Sequence, residues 1–445
     1  MFLLGLIGSM FSTASFMTRR ACRSRCIGPF ASGRRLFSTV YLRTGSVYIH
    51  WPYCEKKCTY CDFNKYVALK VDHDRMKSCI LSELKCQLKE SSIEKVSSVF
   101  FGGGTPSLAL PATVEAIVSS LREHLTEDAE ITLEANPTSA TSRSLEAFRQ
   151  AGINRLSLGV QALDDKELLW LGRDHTAAES EVCLQQAAAL FPGRLTADLL
   201  IGRPGQTAGS LRAELRRLLR SCHHHVALYQ LTAPRGTPLG RQVARGAVRL
   251  PSADQQGALY AAAVDELAAA GLRRYEVANF ALPGHEGRHN SAVWRGRQYL
   301  GVGPGAHGRI VSRATGRRQA TVQIPAPERW MRAVESGSGG AAKVTPLSGA
   351  DVRSELVCTA LRTRRGLSRD DWLAAGGGER RWRHLYQHPE IARLQEFVEA
   401  TEERLAPTAR GLNVLDALLP NLLNVLTSYD CEVGEDEDRE TLSGS

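Results

Sequence analysis

The sequence predicts an α/β protein built on a partial barrel of six βα units. Short apolar runs alternate with amphipathic stretches of helical length through the middle of the chain. Several runs are hydrophobic at every position, which is typical of parallel strands buried on both faces. Repeated βα units give parallel strands joined by right-handed crossovers. An incomplete (β/α)6 barrel satisfies these observations, and so does a flat, doubly wound sheet.

The individual elements follow from these patterns. The predicted strands, of which the last is the weakest, are Val47–Trp51, Val96–Phe101, Glu130–Ala135, Arg155–Val160, Leu195–Ile201, Val226–Leu231 and Tyr275–Phe280. The predicted helices are Asp72–Lys89, Pro111–His124, Ser142–Gln150, Thr176–Leu190, Ala208–Ser221 and Ala253–Ala270. Gly152 and Gly271 stand where helices commonly end. In such sheets, functional residues lie at the carboxyl ends of the strands.

The chain divides into a barrel over residues 41–335 and a smaller unit beyond it. Residues 336–349 begin with Ser-Gly-Ser-Gly-Gly, which predicts a flexible linker. Helical patterns at Ala350–Arg362 and Glu390–Thr401 and an apolar stretch at Gly411–Leu423 predict a small, mainly helical domain over 350–430. Residues 431–445 are acidic and polar, which predicts a disordered tail.

The first 54 residues contain arginines, serines and threonines but no Asp or Glu. This composition is typical of a mitochondrial transit peptide, which we expect over residues 1–40 and which predicts a matrix protein. Its six arginines account for most of the formal charge, which falls from +9 to +3 without them, so we expect no nucleic-acid partner. A secretory signal and a disordered basic extension are the alternatives. No apolar stretch approaches the roughly 20 residues of a membrane span.

Three of the eleven cysteines form a pattern. Cys54, Cys58 and Cys61 have C-x3-C-x2-C spacing directly after the first predicted strand. Three thiolates can bind three irons of a [4Fe-4S] cube and leave the fourth iron open to a small molecule. A zinc site short of one ligand and three unrelated thiols are the alternatives. The other cysteines are irregularly spaced and predict no disulfide framework.

A glycine run, Gly102-Gly103-Gly104-Thr105-Pro106, follows the second predicted strand. Glycines let a ligand approach the backbone closely, and their N–H groups can meet an anion. An ordinary tight turn would have the same composition.

Four polar residues then follow or interrupt successive apolar runs, namely Glu134, Gln161, Arg173 and Asp198. A charged residue in a buried run is costly unless it is paired or binds a ligand. Together these side chains predict a site for a small polar molecule at the strand ends. Ion pairing of Arg173 with Glu134 or Asp198 inside the barrel is the structural alternative.

The cysteine spacing and the GGGTP segment resemble the signatures of radical S-adenosylmethionine (SAM) proteins, in which SAM chelates the open iron. Over about residues 45–430, YIHWPYCEKKCTYCDF, FFGGGTPS, EANP, SLGVQ, LGRDH and DLLIGRPGQ resemble the oxygen-independent coproporphyrinogen III oxidase superfamily in order and spacing. The resemblance implies a [4Fe-4S] cluster held by the three cysteines. It also implies SAM contacts at Tyr48, Tyr60, Gly103, Gly104, Thr105, Glu134, Gln161, Arg173, Asp198 and Ala233.

Two positions divide the superfamily. The oxidases have a further cysteine two residues after the third, where this chain has Phe63. The HemW heme chaperones also lack that cysteine, and they carry an H-N-x-x-Y-W element thought to bind heme. Here the corresponding segment is HNSAVW, with His289 retained and Val293 in place of the tyrosine. The resemblance implies that His289 ligates heme iron.

The resemblance therefore implies a heme chaperone that binds heme and a SAM-coordinated [4Fe-4S] cluster. It would deliver heme to respiratory-chain proteins, would lack coproporphyrinogen oxidase activity, and is compatible with a homodimer. The competing hypothesis is an active radical SAM enzyme that acts on a porphyrin or porphyrinogen through a 5′-deoxyadenosyl radical.

Overall fold

The computed structural model describes residues 43–68 and 70–433. The predicted transit peptide lies outside these residues, as does the predicted acidic tail from residue 434 onward. Residues 431–433, where that tail was predicted to begin, belong to the last helix.

One large sheet organises the barrel. Its strands are β1 Thr44–Trp51, β4 Lys95–Gly103, β5 Leu125–Ala135, β6 Arg155–Gln161, β7 Leu195–Ile201, β8 His225–Gln230, β9 Arg273–Glu276, β10 Asn279–Ala281, β11 Gln298–Val302, β12 His307–Val311, β13 Arg318–Gln323 and β14 Ala341–Pro346. A separate pair comprises β2 Tyr53–Cys54 and β3 Tyr66–Val67. The sheet order is β14-β13-β12-β11-β1-β4-β5-β6-β7-β8-β10-β9.

Strands β1, β4, β5, β6, β7 and β8 are parallel neighbours in that order. They are the six predicted strands of the barrel, and the predicted partial barrel is confirmed. On one side β11 pairs in parallel with β1 and leads into the antiparallel strands β12 to β14. On the other side, β10 and β9 follow antiparallel to β8, so the sheet ends at β9 and β14 and stays open.

Helices connect these strands. They are α1 His73–Glu90, α2 Pro111–Ser120, α3 Ser142–Gln150, α4 Asp165–Leu171, α5 Ala177–Leu190, α6 Ala208–Leu219, α7 Pro238–Ala244, α8 Ala253–Ala269, α9 Arg288–Trp294 and α10 Pro327–Glu335. Side-chain caps fix several helix starts: the Asp72 carboxylate accepts from Arg75 N, and Thr176 and Glu179 form a capping box at α5. Gly152 and Gly271 follow α3 and α8 with positive φ, as expected.

Alternation along the strands separates an apolar face from a polar one. Val47, Ile49 and Trp51 belong to the main hydrophobic core, together with similarly spaced residues of the other strands. Side chains one position out of phase, such as Ser157 and Asp198, point to the opposite face, where they line a cavity. Burial of the apolar face against the helices therefore leaves the polar side chains to face the barrel interior.

The C-terminal domain has a hydrophobic core of its own, which includes Trp372, Trp382 and Leu405. Its helices are α11 Gly349–Ala360, α12 Arg369–Ala374, α13 Glu379–Gln387, α14 Pro389–Arg393, α15 Ala409–Asn413 and α16 Leu415–Val433. Three short strands, β15 Leu367–Ser368, β16 Val398–Ala400 and β17 Arg404–Pro407, form a small sheet. None of the described helices is long and apolar enough to cross a membrane.

Three local predictions differ from the structure. The predicted strand Tyr275–Phe280 is instead an antiparallel pair, β9 and β10, whose register shifts between Asn279 and Phe280. The predicted linker 336–349 contains β14, which pairs with β13 at the edge of the large sheet. The predicted helix Glu390–Thr401 ends at Arg393 and gives way to β16.

Candidate functional site

The cysteine loop occupies the carboxyl ends of the parallel strands. It follows β1 directly and is anchored by pairing of β2 with β3. Cys54, Cys58 and Cys61 are buried and line one cavity. The cavity encloses about 1020 Å³ of space not filled by protein atoms, part of it open to solvent. The cysteines therefore line a cavity at the end of the barrel where the ligand site was predicted, and the ligand itself stays a prediction.

Each thiol has a hydrogen-bond partner from a different segment. Thr105 Oγ1 lies 3.3 Å from Cys54 Sγ, and Arg173 Nη1 lies 3.4 Å from Cys58 Sγ. The Lys65 amine hydrogen-bonds the Cys61 thiol. Burial raises the pKa of Cys54, against the opposing effect of the Thr105 hydroxyl, and burial likewise raises that of Cys61. Donors placed at all three sulfurs suit thiolates that carry negative charge.

The donor set fits an iron–sulfur cluster better than zinc. Within residues 43–68 and 70–433, no group of three or more His, Cys, Asp or Glu side chains surrounds one point as a single metal ion requires. In a cubane each thiolate binds a different iron, so the sulfurs need not converge. Three thiols on the wall of one open cavity are compatible with that arrangement, whereas a zinc site would need at least three side chains that converge on one ion.

The glycine run forms the adjacent wall, but its N–H groups are not open to a ligand as we expected. Gly103 N donates to Glu134 Oε2 at 3.2 Å, and Gly104 N donates to Trp51 O at 2.7 Å. The N–H of Thr105 donates to Tyr53 O at 2.9 Å. The run therefore fixes the cysteine loop against the end of β4.

Close packing explains why glycine is needed here. A Cβ at Gly104 would lie 2.6 Å from Tyr53 O and 3.0 Å from Cys54 Sγ. A Cβ at Gly103, where φ is +120°, would lie 2.7 Å from Trp51 O. Any side chain at either position would push the cysteine loop out of place.

Two carboxyl groups lie on the cavity wall, Glu134 at the end of β5 and Asp198 within β7. Burial raises the pKa of each to about 7, and the neighbouring Glu134 charge adds to the effect on Asp198. The Asp198 carboxyl accepts hydrogen bonds from Ser157 Oγ at 3.1 and 3.2 Å. Neither carboxyl forms an ion pair within the part of the chain that the structure describes, and acidic groups in a poorly solvated cavity can bind a ligand that carries positive charge or hydroxyl donors.

Arg173 reaches the site by a route that the sequence did not predict. It follows the short helix α4, whose C-cap Gly172 has φ of 77°, and not a strand. Its guanidinium donates to Asn136 Oδ1 and, at 3.0 Å, to Gly159 O. Among the ion pairs of the described residues, none joins Arg173 to Glu134 or Asp198, so the structural alternative of barrel-internal pairing is not observed.

Gln161, at the end of β6, adopts a strained backbone conformation. Its φ is +69°, and it is the one non-glycine residue with positive φ among the described residues. Arg203 holds this conformation, because its Nη1 donates to Gln161 O at 3.1 Å while the same guanidinium pairs with Glu167 and Glu214. Strain supported in this way is common at binding sites, and Gln161 lines the cavity.

The remaining predicted SAM contacts differ in position. Tyr60 lines the cavity, between Cys58 and Cys61. Tyr48 is 4% exposed beneath the glycine run, where its hydroxyl lies 3.1 Å from His50 Nδ1. Ala233 lies in the loop after β8 and packs against the core without lining the cavity. The roles of all the predicted SAM contacts remain predictions.

His289 lies apart from the thiol cavity. It is the second residue of α9, and its ring is 3% exposed, with Nδ1 at 3.0 Å from Ser98 Oγ. The backbone N–H groups of Arg288 and His289 donate to Glu130 Oε1 at 2.8 and 3.2 Å. Burial lowers the pKa of His289 to about 3, so the imidazole is neutral, the form that ligates iron. Ligation of heme by His289 stays a prediction.

Several residues that line the cavity were not predicted from the sequence, notably Lys65, Asn136 and Tyr229. Asn136 directly follows Glu134 and Ala135, so its position after a strand was a usable signal. Tyr229 is the penultimate residue of β8 and shares the inward phase of that strand. Lys65 lies in an irregular loop, where no sequence pattern indicates which way a side chain points.

The fold has known counterparts. The family model described as the radical SAM superfamily matches residues 48–218. The structure of the coproporphyrinogen III oxidase HemN from Escherichia coli aligns with a TM-score of 0.70 at 21% identity, over 87% of this chain and 91% of that one. The chain therefore contains a radical SAM domain.

Relatives of similar length define the family within this class. The mitochondrial radical S-adenosyl methionine domain-containing protein 1 of Bos taurus is 43% identical over 387 residues, which cover 86% of this chain and 88% of the relative. The heme chaperone HemW of Mycobacterium tuberculosis is 32% identical over 383 residues, or 85% and 94% of the two chains. The chain belongs to the family of these two proteins. The predicted mitochondrial location is confirmed by the names of the animal relatives.

Proposed function

We propose that this protein is a heme chaperone of the mitochondrial matrix that binds heme together with a SAM-coordinated [4Fe-4S] cluster. The observation that carries the proposal is the composition of the thiol cavity, which has three cysteines and Phe63 at the position of the oxidases' additional cysteine. The similarity to the heme chaperone HemW over 85% of the chain supports it. Delivery of heme to respiratory-chain proteins and a homodimeric state belong to the same proposal.

Cys54, Cys58 and Cys61 would hold the cluster, and their burial would shield it from solvent. When bound, the cluster supplies an open iron for the amine and carboxylate of SAM and a source of single electrons. Thr105 and Lys65 would keep their hydrogen bonds to Cys54 and Cys61 and so fix the direction of those two thiolates.

The polar wall of the cavity would bind the rest of SAM. The carboxyls of Glu134 and Asp198 would accept from donors such as an amine or ribose hydroxyls, and they would balance the charge of the sulfonium. The guanidinium of Arg173, beside Cys58, would attract the SAM carboxylate. Gln161, held by Arg203, would present its amide from a fixed backbone.

Heme would occupy a separate site, because His289 does not line the thiol cavity. Ligation through Nδ1 would require the ring to leave its contact with Ser98. Because α9 also contacts the C-terminal domain, heme bound at His289 would act on the packing between the barrel and that domain.

The test uses full-length mature protein, purified and reconstituted without oxygen, to which heme, SAM and coproporphyrinogen III are added separately. We expect stoichiometric heme binding by absorbance titration, weakened in His289→Ala and unchanged in His124→Ala, whose histidine contacts Glu94 O near the protein surface. Cluster absorbance reports whether each variant is folded. Oxidation of the porphyrinogen, or failure of the wild-type protein to bind heme, would overturn the proposal, and the former would favour the enzyme hypothesis.

A further inference from the structure

A second cavity lies between the barrel and the C-terminal domain. It encloses about 670 Å³ of space not filled by protein atoms, part of it open to solvent. Residues of α9, β11, β12 and β13 form one wall, and α11 and α12 form the other. It shares no lining residue with the thiol cavity, so it is a distinct site, which we call the interdomain cavity.

Positive charge exceeds negative charge on the lining of the interdomain cavity. Arg295, Arg309 and Arg318 contribute guanidinium groups, while Glu355 and Asp371 contribute carboxylates. Arg309 and Glu355 neutralise each other, because Nε of the arginine lies 3.0 Å from both carboxylate oxygens. Asp371 is shared, since it lies 3.3 Å from Arg295 and is also 3.2 Å from Arg365. Arg318 has no carboxylate within ion-pair distance among the described residues.

Two donors on this lining lack partners. The Nε atoms of Arg295 and Arg318 are buried and form no hydrogen bond within the described residues. Arg318 Nη1 donates to Gly296 O at 2.7 Å, which fixes the guanidinium but provides no counter-charge. A buried donor on a charged group is costly to leave unpaired. Packing of the two domains alone does not account for this arrangement.

The pKa shifts of the arginines around the interdomain cavity agree with the excess of positive charge on its lining. Burial lowers the pKa of Arg295 and of Arg318. Burial together with the charges of Arg295 and Arg365 lowers the pKa of the neighbouring Arg297 to about 10. The charges of Arg295 and Arg365 therefore repel the Arg297 guanidinium, whereas Glu355 offsets part of the cost of burying Arg318. An anion in the cavity would relieve the repulsion and the cost of burial.

We propose that the interdomain cavity is an anion site, in which Arg318 and Arg295 bind a carboxylate or phosphate group. Guanidinium groups bind both oxyanions through paired N–H donors. The group could belong to a free anion or to a propionate of heme, and the second source rests on the proposed function. Because the site spans both domains, its occupancy would strengthen their association.

The experiment compares the wild-type protein with Arg318→Gln and with the charge-preserving Arg318→Lys. Arg332→Gln is the matched control, because its side chain is 73% exposed and lies on α10, away from the cavity. Inorganic phosphate is added while thermal unfolding is followed, and heme and its dimethyl ester are titrated in parallel. We expect Arg318→Gln to weaken anion binding about tenfold or more, as for loss of a charge-assisted hydrogen bond. Arg318→Lys should weaken it less, because the charge stays while the paired donors are lost, and Arg332→Gln should leave it unchanged. Arg295→Gln repeats the test if Arg318→Gln does not fold.

The outcomes distinguish a free anion from a heme propionate as the source of the bound group. Stabilisation by phosphate that depends on Arg318 supports a site for free anions. Heme binding weakened both by esterification and by Arg318→Gln, without a phosphate effect, supports a propionate site. If neither the phosphate response nor heme binding depends on Arg318 or Arg295, the inference is wrong. Absence of heme binding with an intact phosphate response would refute the proposed function and leave the anion site standing.

Discussion

Replacement of Asp198 by Asn should stabilise the ligand-free protein at alkaline pH while weakening SAM binding. Asp198 lies on the wall of the thiol cavity, and burial raises its pKa to about 7. The folded protein therefore holds the proton more tightly than the unfolded chain does. The free energy of unfolding should fall as the pH rises from about 4 to about 7 and stay level above that range.

The size of the effect follows from the two pKa values. A change from 3.8 in the unfolded chain to about 7 in the folded protein corresponds to about 4 kcal/mol, at about 1.4 kcal/mol per pKa unit. Asp198 is partly exposed on an open cavity, so solvent screening reduces this to about 2 kcal/mol. Asn keeps an oxygen that can accept from Ser157 Oγ, so the substitution should cost little elsewhere.

Urea unfolding of the apoprotein at pH 5 and pH 8 measures the effect. Asp198→Asn should gain about 2 kcal/mol over the wild-type protein at pH 8 and much less at pH 5. Asp265→Asn is the control, because its side chain is 71% exposed and its pairing with Arg212 is worth little. Destabilisation by Asp198→Asn at both pH values, or an equal gain in the free energy of unfolding at both, would refute the assignment of Asp198 as a buried carboxyl with a raised pKa that binds a ligand.

Three further predictions test the supporting structure. Gly104→Ala should lower the iron content after reconstitution, because the added Cβ would collide with Tyr53 O, and full iron content would contradict the fixed position of the loop. Glu83→Gln should flatten the fall in stability between about pH 5 and 7, since burial raises the pKa of Glu83 to about 7, and an unchanged urea–pH profile would count against it. Arg203→Met should lower the free energy of unfolding in urea by about 3–5 kcal/mol, because it leaves the buried Glu214 carboxylate unpaired. It should also weaken SAM binding, because Gln161 loses its support. A loss of less than 1 kcal/mol would exclude a structural role for Arg203.

The barrel was predictable because its strands are continuous apolar runs. Leu195–Ile201 has the same bounds in the sequence prediction and in the structure, since six of its seven residues are buried. The structure of the segment around Tyr275–Phe280 was not predictable, because it contains two short strands and a turn. A strand of three or four residues is too short for a periodic pattern to show. The glycine-rich start of residues 336–349 predicted a linker. Pairing with β13, which the local sequence pattern does not indicate, makes β14 the edge strand of the sheet instead.

The site was predictable where ligands are close in sequence or follow strands. The three cysteines and Glu134 meet that condition. Arg173 was recognised, but its support was not, since the seven-residue helix α4 is too short for helical periodicity to show. The roles of Lys65 and Arg203 depend on contacts across the loops and strands, which only the folded chain defines.

The central claim is a cluster held by three cysteines with an iron left open to SAM. Electron paramagnetic resonance of the reduced, oxygen-free protein tests this claim most directly. Spectra are recorded with and without SAM for the wild-type protein, for Cys58→Ser and for the control Cys222→Ser, which replaces a buried cysteine outside the predicted cluster site. We expect a [4Fe-4S] signal that shifts when SAM is added, persists in Cys222→Ser and is lost in Cys58→Ser. A signal that is unaffected by SAM, or that survives in Cys58→Ser, would contradict the account.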